Sequence, residues 1–266
     1  MTAALQVQAL SHRYGPTLVL DGIDLTLHAG RTLALVGPSG CGKTTLLHLC
    51  AGLLDVQQGQ IHPGLQPAAV MFQQPRLLPW LTALDNIALG LKARGLARAP
   101  RQAQARTMAL ALGLPEAALA QYPAELSGGM QSRCALARAL VLNPALLLLD
   151  EPFAALDIGL RYQLHQLLLE RQAQAGLAAL LITHDLMEAV RLADDVLVLA
   201  PTPGRIVAHY QPPGTALERD DSLVHRCAAE LQQHPAVRAA FDLPGPGAIA
   251  AALGRWQPIN INQNSL

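Results

Sequence analysis

Thr32-Leu33-Ala34-Leu35-Val36-Gly37-Pro38-Ser39-Gly40-Cys41-Gly42-Lys43-Thr44-Thr45 decides the fold. Thr32 to Val36 is a short, nearly continuous apolar run that reads as a buried strand, and a helical run follows from Thr44 to Leu53. Between them Gly37 to Thr44 fits G-x-x-x-x-G-K-[ST], in the strand-to-helix context where that pattern has a mechanism. Its glycines let backbone N–H groups turn inward around a β-phosphate. The helix N-terminus adds its positive dipole end, and Lys43 supplies a full charge to the β- and γ-phosphates. Thr44 offers its hydroxyl to magnesium. The stretch predicts an ATP site contacted by Gly37, Pro38, Ser39, Gly40, Cys41, Gly42, Lys43, Thr44 and Thr45.

A phosphate loop of this kind needs a second strand ending in an acid, and Leu146-Leu147-Leu148-Leu149-Asp150-Glu151 ends that way. Asp150 is placed to hold the magnesium shell, through water. Glu151, one residue further, is placed to polarise an attacking water, a general-base role that suits an ATPase more than a kinase. Leu126-Ser127-Gly128-Gly129-Met130-Gln131 precedes another helical run, so Ser127 caps a second helix N-terminus beside two glycines. One loop already serves one nucleotide. The spare anion-binding terminus suggests that a second copy of the chain closes over the γ-phosphate.

Further outward, Leu5 to Leu10 and Leu18 to Leu27 alternate apolar and polar residues around Gly15-Pro16, which predicts antiparallel strands. Apolar runs at Ala145 to Leu149, Ala178 to Thr183 and Val196 to Leu199 alternate with helical patterns at Ile158 to Ala175 and Asp185 to Ala193, as in a parallel α/β sheet. Pro75 to Asn143 is helical throughout, with helices predicted at Ala83 to Ala93, Arg101 to Leu112 and Gly129 to Leu142. The fold class is therefore α/β: a P-loop NTPase core with a parallel sheet, N-terminal antiparallel strands and an inserted helical subdomain. Residues 1–214 form the nucleotide-binding unit, with the insertion at about 75–143, and 215–266 form a C-terminal tail. That tail is Pro-punctuated, with one helix from Ser222 to Gln233, and Trp256 to Leu266 is expected to be loosely held.

Composition narrows the function. Although 51% of residues are hydrophobic, Pro, Asp or Thr interrupts each apolar run well before the roughly 18 to 20 residues of a spanning helix. Met1-Thr-Ala-Ala-Leu-Gln lacks the features of a secretory signal, which places the chain in the cytoplasm. Nineteen basic residues balance nineteen acidic ones, so no bulk positive field advertises nucleic acid. Cys41, Cys50, Cys134 and Cys227 stand at scattered spacings and read as small buried apolar residues.

With these motifs together, the chain resembles the ATP-binding subunit of ABC transporters from Tyr14 to His184. The resemblance implies that Tyr14 stacks on adenine and that Gln73 contacts magnesium. It also implies that Asp157, in Ala155-Leu156-Asp157, forms the family's D-loop and that His184 senses the γ-phosphate. Stacking on an aromatic contributes roughly 1 to 3 kcal/mol with little base specificity. Ser127, Gly128 and Gly129 then complete the ATP site of the opposed copy in a head-to-tail homodimer. Met130 departs from the frequent glutamine of the signature, and Ser132 stands two places later where glutamine is also frequent.

The same resemblance gives the partners. Arg76-Leu77-Leu78-Pro79-Trp80-Leu81, just after Gln73, is an apolar loop that packs either into the helical insertion or against a partner. In the family this region receives integral membrane permease subunits, which implies a peripheral position on the cytoplasmic face of the cell membrane and, indirectly, a solute-binding protein. Phe72 to Trp80 is similar to importers of nitrate, alkyl sulfonates and taurine. Two rivals stay open: a soluble ABC ATPase of translation or DNA maintenance, and a P-loop small-molecule kinase. The first normally shows two cassettes or a heptad coiled coil, and the second has no use for Ser127, Asp157 and His184 together.

Overall fold

A computed structural model describes residues 2–243. Two long strands open the chain, β1 (Ala3–Tyr14) and β2 (Thr17–His28), followed by β3 (Thr32–Val36) and α1 (Lys43–Cys50). Next come β4 (Gln58–Pro63) and β5 (Ala68–Met71). The insertion holds α2 (Ala83–Ile87), α3 (Leu89–Ala93), α4 (Arg98–Ala111) and α5 (Gly128–Leu140). The chain returns through β6 (Leu146–Asp150), α6 (Ile158–Ala175), β7 (Ala178–Thr183), α7 (Leu186–Leu192), β8 (Asp195–Ala200) and β9 (Arg205–Tyr210). Helices α8 (Asp221–Gln233) and α9 (Pro235–Ala240) close the described part.

One sheet has the order β2-β1-β4 and is antiparallel; the other runs β5-β6-β7-β3-β8-β9, parallel except for β9. Every residue of β3, β6 and β7 is buried, because a parallel strand is covered on both faces. Alternation then sorts their side chains. Leu33, Leu35, Leu146, Leu148, Leu180 and Ile182 face the antiparallel sheet and α1. On the opposite face, Leu147, Leu149 and Leu181 join the insertion and α6, while Ala34, Val36, Val196 and Val198 pack under α7, α8 and α9. Each fully buried Leu or Val contributes roughly 1.5–3 kcal/mol relative to exposure.

Most boundaries agree with the sequence reading, and the differences have local causes. Helix α1 stops at Cys50 rather than Leu53, because Leu53 N–H turns back to His48 O (2.9 Å). Strands β4, β5 and β9 were not anticipated: β4 is a largely exposed edge held by backbone pairing to β1, and β5 is only four residues long. Helix α9 extends the single helix expected after Arg205, and the expectation for Trp256 to Leu266 lies outside the described residues. All four cysteines are buried and unpaired, as read. Among the described residues no helix is long and apolar enough to cross a membrane.

Candidate active site

The C-terminal ends of β3, β5, β6 and β7 lie side by side in the parallel sheet, and the residues just past them converge. The loop after β3 is tight. A Cβ on Gly37 would stand 2.4 Å from Leu199 O and 2.8 Å from Cys41 Sγ, so nothing larger than glycine fits. Gly42, the N-cap of α1, has φ +100°, and a Cβ there would meet Leu20 Cδ2 at 2.7 Å. Strand β2 thus backs the loop, and the β1–β2 hairpin ends in Tyr14, half-exposed with its ring edge-on to His12 at 4.9 Å.

Lys43 is the first residue of α1 and is buried. Its Nζ donates to Gly37 O (2.7 Å) and Pro38 O (2.9 Å), so the ammonium lies over the loop. Thr44 Oγ1 donates to Asp150 Oδ2 at 2.8 Å across the gap between α1 and β6. Asp150 is only 2% exposed. Burial pushes its carboxyl up from the ordinary value; the Thr44 bond opposes this, the neighbouring Glu151 adds to it, and His48 and Lys43 partly offset it. A carboxylate and a hydroxyl with Gln73 nearby form an all-oxygen donor set, which fits a hard divalent cation such as Mg2+ that keeps part of its water shell.

Glu151 follows directly, with φ +46°, a conformation rare for a non-glycine residue, and its N–H is fixed on Ile182 O (2.9 Å). Its side chain joins two others. Gln73 Nε2 donates to Glu151 Oε2 (3.2 Å), and His184 Nδ1 lies 3.2 Å from Glu151 Oε1. Residues that follow β5, β6 and β7 thus meet beside the phosphate loop, where a carboxylate can take a proton from water and an imidazole can donate to a phosphate oxygen.

Ser127, Gly128 and Gly129 are on the insertion. Ser127 Oγ accepts from Met130 N–H (3.3 Å) and caps α5, with the Ser127 and Gly128 surface exposed. Helix α5 packs on α2, α4 and β5, whereas α1 packs on β4, β6 and β7. Among the described residues no hydrogen bond or ion pair links Ser127–Gly129 to residues 37–45. Asp157 likewise caps α6, its Oδ1 accepting from Leu160 N–H (2.9 Å), and is exposed.

The sequence did not single out the residues that brace these loops. Arg138 of α5 donates to Arg76 O (2.9 Å) and Pro75 O (2.7 Å), pinning the segment after Gln73. The Arg76 guanidinium lies 4.2 Å above the Phe72 ring. Fully buried Asn86 donates to Leu78 O, Leu81 O and Thr82 O and accepts from Leu78 N–H. The loop so held divides its apolar residues: Leu77 packs on the insertion's core, while Trp80 is 69% exposed. Packing into the insertion therefore holds for Leu77, and Trp80 is left on the surface.

Comparison with known proteins agrees with this geometry. The family model described as ABC transporter matches residues 20–154. The taurine import ATP-binding protein of Chromobacterium violaceum is 45% identical over 220 residues, covering 79% of this chain and 84% of that protein. An aliphatic sulfonates import ATP-binding protein of Pseudomonas savastanoi pv. phaseolicola is 46% identical over 200 residues, covering 75% and 72%. Among solved structures, a dimeric ATP-binding cassette in a post-hydrolysis state bound to ADP and Pi superposes with a TM-score of 0.72 at 27% identity, covering 79% of this chain and all of that one. The chain belongs to the ABC transporter family and is an ATP-hydrolysing cassette of it.

Proposed function

We propose that this chain powers an importer of a small organosulfonate such as taurine. The observation that carries the mechanism is the convergence of Gln73, Glu151 and His184 beside the Thr44–Asp150 pair. The cargo class rests on likeness to the taurine and sulfonate importers' subunits.

Lys43 leaves its loop carbonyls for the β- and γ-phosphates when ATP enters, joined by the backbone N–H groups of Ser39 to Thr45, and Tyr14 stacks on the base. Thr44, Asp150 through water and Gln73 would hold Mg2+, which supplies charge neutralisation between the phosphates. Glu151 accepts the proton of the attacking water while His184 donates to the γ-phosphate. The exposed α5 terminus with Ser127, Gly128 and Gly129 serves the ATP of a second copy, with Asp157 at the same interface, so ATP closes a homodimer and hydrolysis opens it. Exposed Trp80 supports docking of permease subunits at the cytoplasmic face of the membrane, with a solute-binding protein acting from the other side.

We assign residues 1–214 to the cassette, with the insertion at about 75–143, and 215–266 to a C-terminal extension. The deciding experiment is taurine uptake by proteoliposomes holding the chain with its permease and binding protein. Uptake that needs ATP and stops with Lys43→Ala supports the reading. ATP turnover with no organosulfonate transported refutes the cargo assignment.

A further inference from the structure

We propose that Arg161, His165 and Glu188 are positioning residues for the Glu151–His184 pair. The inference rests on the roles proposed above for Glu151 and His184. A cavity of about 120 Å3 is lined by both of them and by Phe153, Arg161, Asp185 and Glu188. Across the interface between α6 and α7, His165 and Glu188 are each more than nine-tenths buried, with His165 Nε2 at 3.6 Å from Glu188 Oε1.

His165 and Arg161 reach the loop after Glu151 by their side chains, while Glu188 meets His165 through its carboxylate and the turn after His184 through its backbone N–H. The His165 ring meets Phe153 edge-on, with centroids 4.6 Å apart, and Phe153 is fully buried two residues beyond Glu151. Glu151 holds a left-handed backbone, which persists only where the surroundings over-determine it. Phe153 wedged against His165 is such a constraint. Arg161 Nη2 donates to Leu156 O (3.3 Å), the residue before Asp157, while Nη1 lies 4.0 Å from Asp185 Oδ2. Asp185 follows His184 directly and caps α7 by accepting from Met187 N–H (2.9 Å) and Glu188 N–H (3.2 Å).

Helix α6 thus grips the loop after Glu151 and the turn after His184 at once. Apolar residues would pack this interface at least as stably as a buried ionisable pair. The pair is also unfinished: 3.6 Å exceeds hydrogen-bond length, and His165 Nε2 has no hydrogen-bond partner.

The test compares full-length wild type with Glu188→Gln, nearly isosteric, and Arg161→Gln, at a partly exposed position that keeps the question answerable if the buried variant misfolds. The expected result is a kcat lowered about tenfold or more, as for small misplacements of reacting groups. KM for ATP and the thermal midpoint stay near wild type, and Arg161→Lys restores part of kcat. The inference is overturned if kcat stays within about twofold of wild type, or if kcat, KM and midpoint decline together as for a purely structural role. Glu151→Gln and His184→Ala run alongside. If these two keep wild-type turnover, the site reading itself fails; if they lose it while Arg161→Gln and Glu188→Gln do not, only the positioning inference fails.

Discussion

Replacing Arg219 with Met should destabilise this protein at its C-terminal side, by an amount that follows from five hydrogen bonds. Arg219 is 5% exposed, and all five N–H groups of its guanidinium go to backbone carbonyls. Nε donates to Pro213 O (3.1 Å), Nη1 to Val190 O (2.6 Å) and Ala193 O (2.7 Å), and Nη2 to Pro212 O (3.3 Å) and Gly214 O (3.0 Å). Two of those carbonyls end α7 and three belong to the turn that leads to α8. At about 1 kcal/mol for each orphaned carbonyl the gross loss is about 5 kcal/mol. Burial lowers the Arg219 pKa, so holding the charge has its own cost, and removing it offsets part of that loss. The net therefore lies below about 5 kcal/mol, and each kcal/mol lost lowers the midpoint by about 2–4 °C for a domain of this size. Arg219→Lys keeps the charge but has three donors, so it should fall between. Urea titration and calorimetry of both variants are the assay. Arg219→Met within about 1 kcal/mol of wild type would refute the reasoning, as would lysine matching arginine.

Gly37→Ala, whose Cβ would collide with Leu199 O at 2.4 Å, should distort the phosphate loop and raise the ATP dissociation constant at least about tenfold, measured by fluorescent-nucleotide titration. Glu151→Gln keeps the shape but not the base; ATP should still bind while hydrolysis drops at least about 100-fold in a phosphate-release assay. Trp80→Ala removes an exposed side chain, so midpoint and basal ATPase should match wild type within about 0.5 kcal/mol while coupled transport falls. Burial raises the Asp195 pKa, but bonds from Gln211 (2.7 Å) and His209 (2.8 Å), with Arg31 nearby, outweigh it and hold the carboxyl below its ordinary 3.8. The stability this gives is present above the unfolded value and lost as pH falls through the folded one. Asp195→Asn should therefore flatten the acid limb of the stability profile below about pH 4, read by denaturation at each pH.

Part of the chemistry was legible because it sits at strand ends, where an apolar run followed by glycine or acid marks Gly37–Thr45 and Asp150–Glu151 in one dimension. Gln73 and His184 carry no such mark and were named only by resemblance to the family; sheet order then brings Thr44 to Asp150 and Gln73 and His184 to Glu151. What bridges them was not legible. Arg138 reaches Pro75, 63 positions away, from the middle of α5, and His165 and Arg161 lie on α6 among residues that read only as helix; their partners, near or far in the chain, carry no pattern. Strand β4 escaped for another reason. Gln58–Pro63 buries little side chain and exists through backbone bonds to β1, so hydrophobic alternation had nothing to register.

The central claim is that each ATP is enclosed by residues 37–45 of one copy and Ser127–Gly129 of another. The most direct measurement is cross-linking between two differently tagged copies, one Ser39→Cys and one Ser127→Cys, both in the Glu151→Gln background and assembled with the permease. Both serines are exposed and the four native cysteines are buried, so the introduced thiols should react selectively. The account predicts a short cross-link between the copies with ATP·Mg and little without nucleotide. No cross-link at saturating ATP, or one equally frequent without ATP, would contradict it.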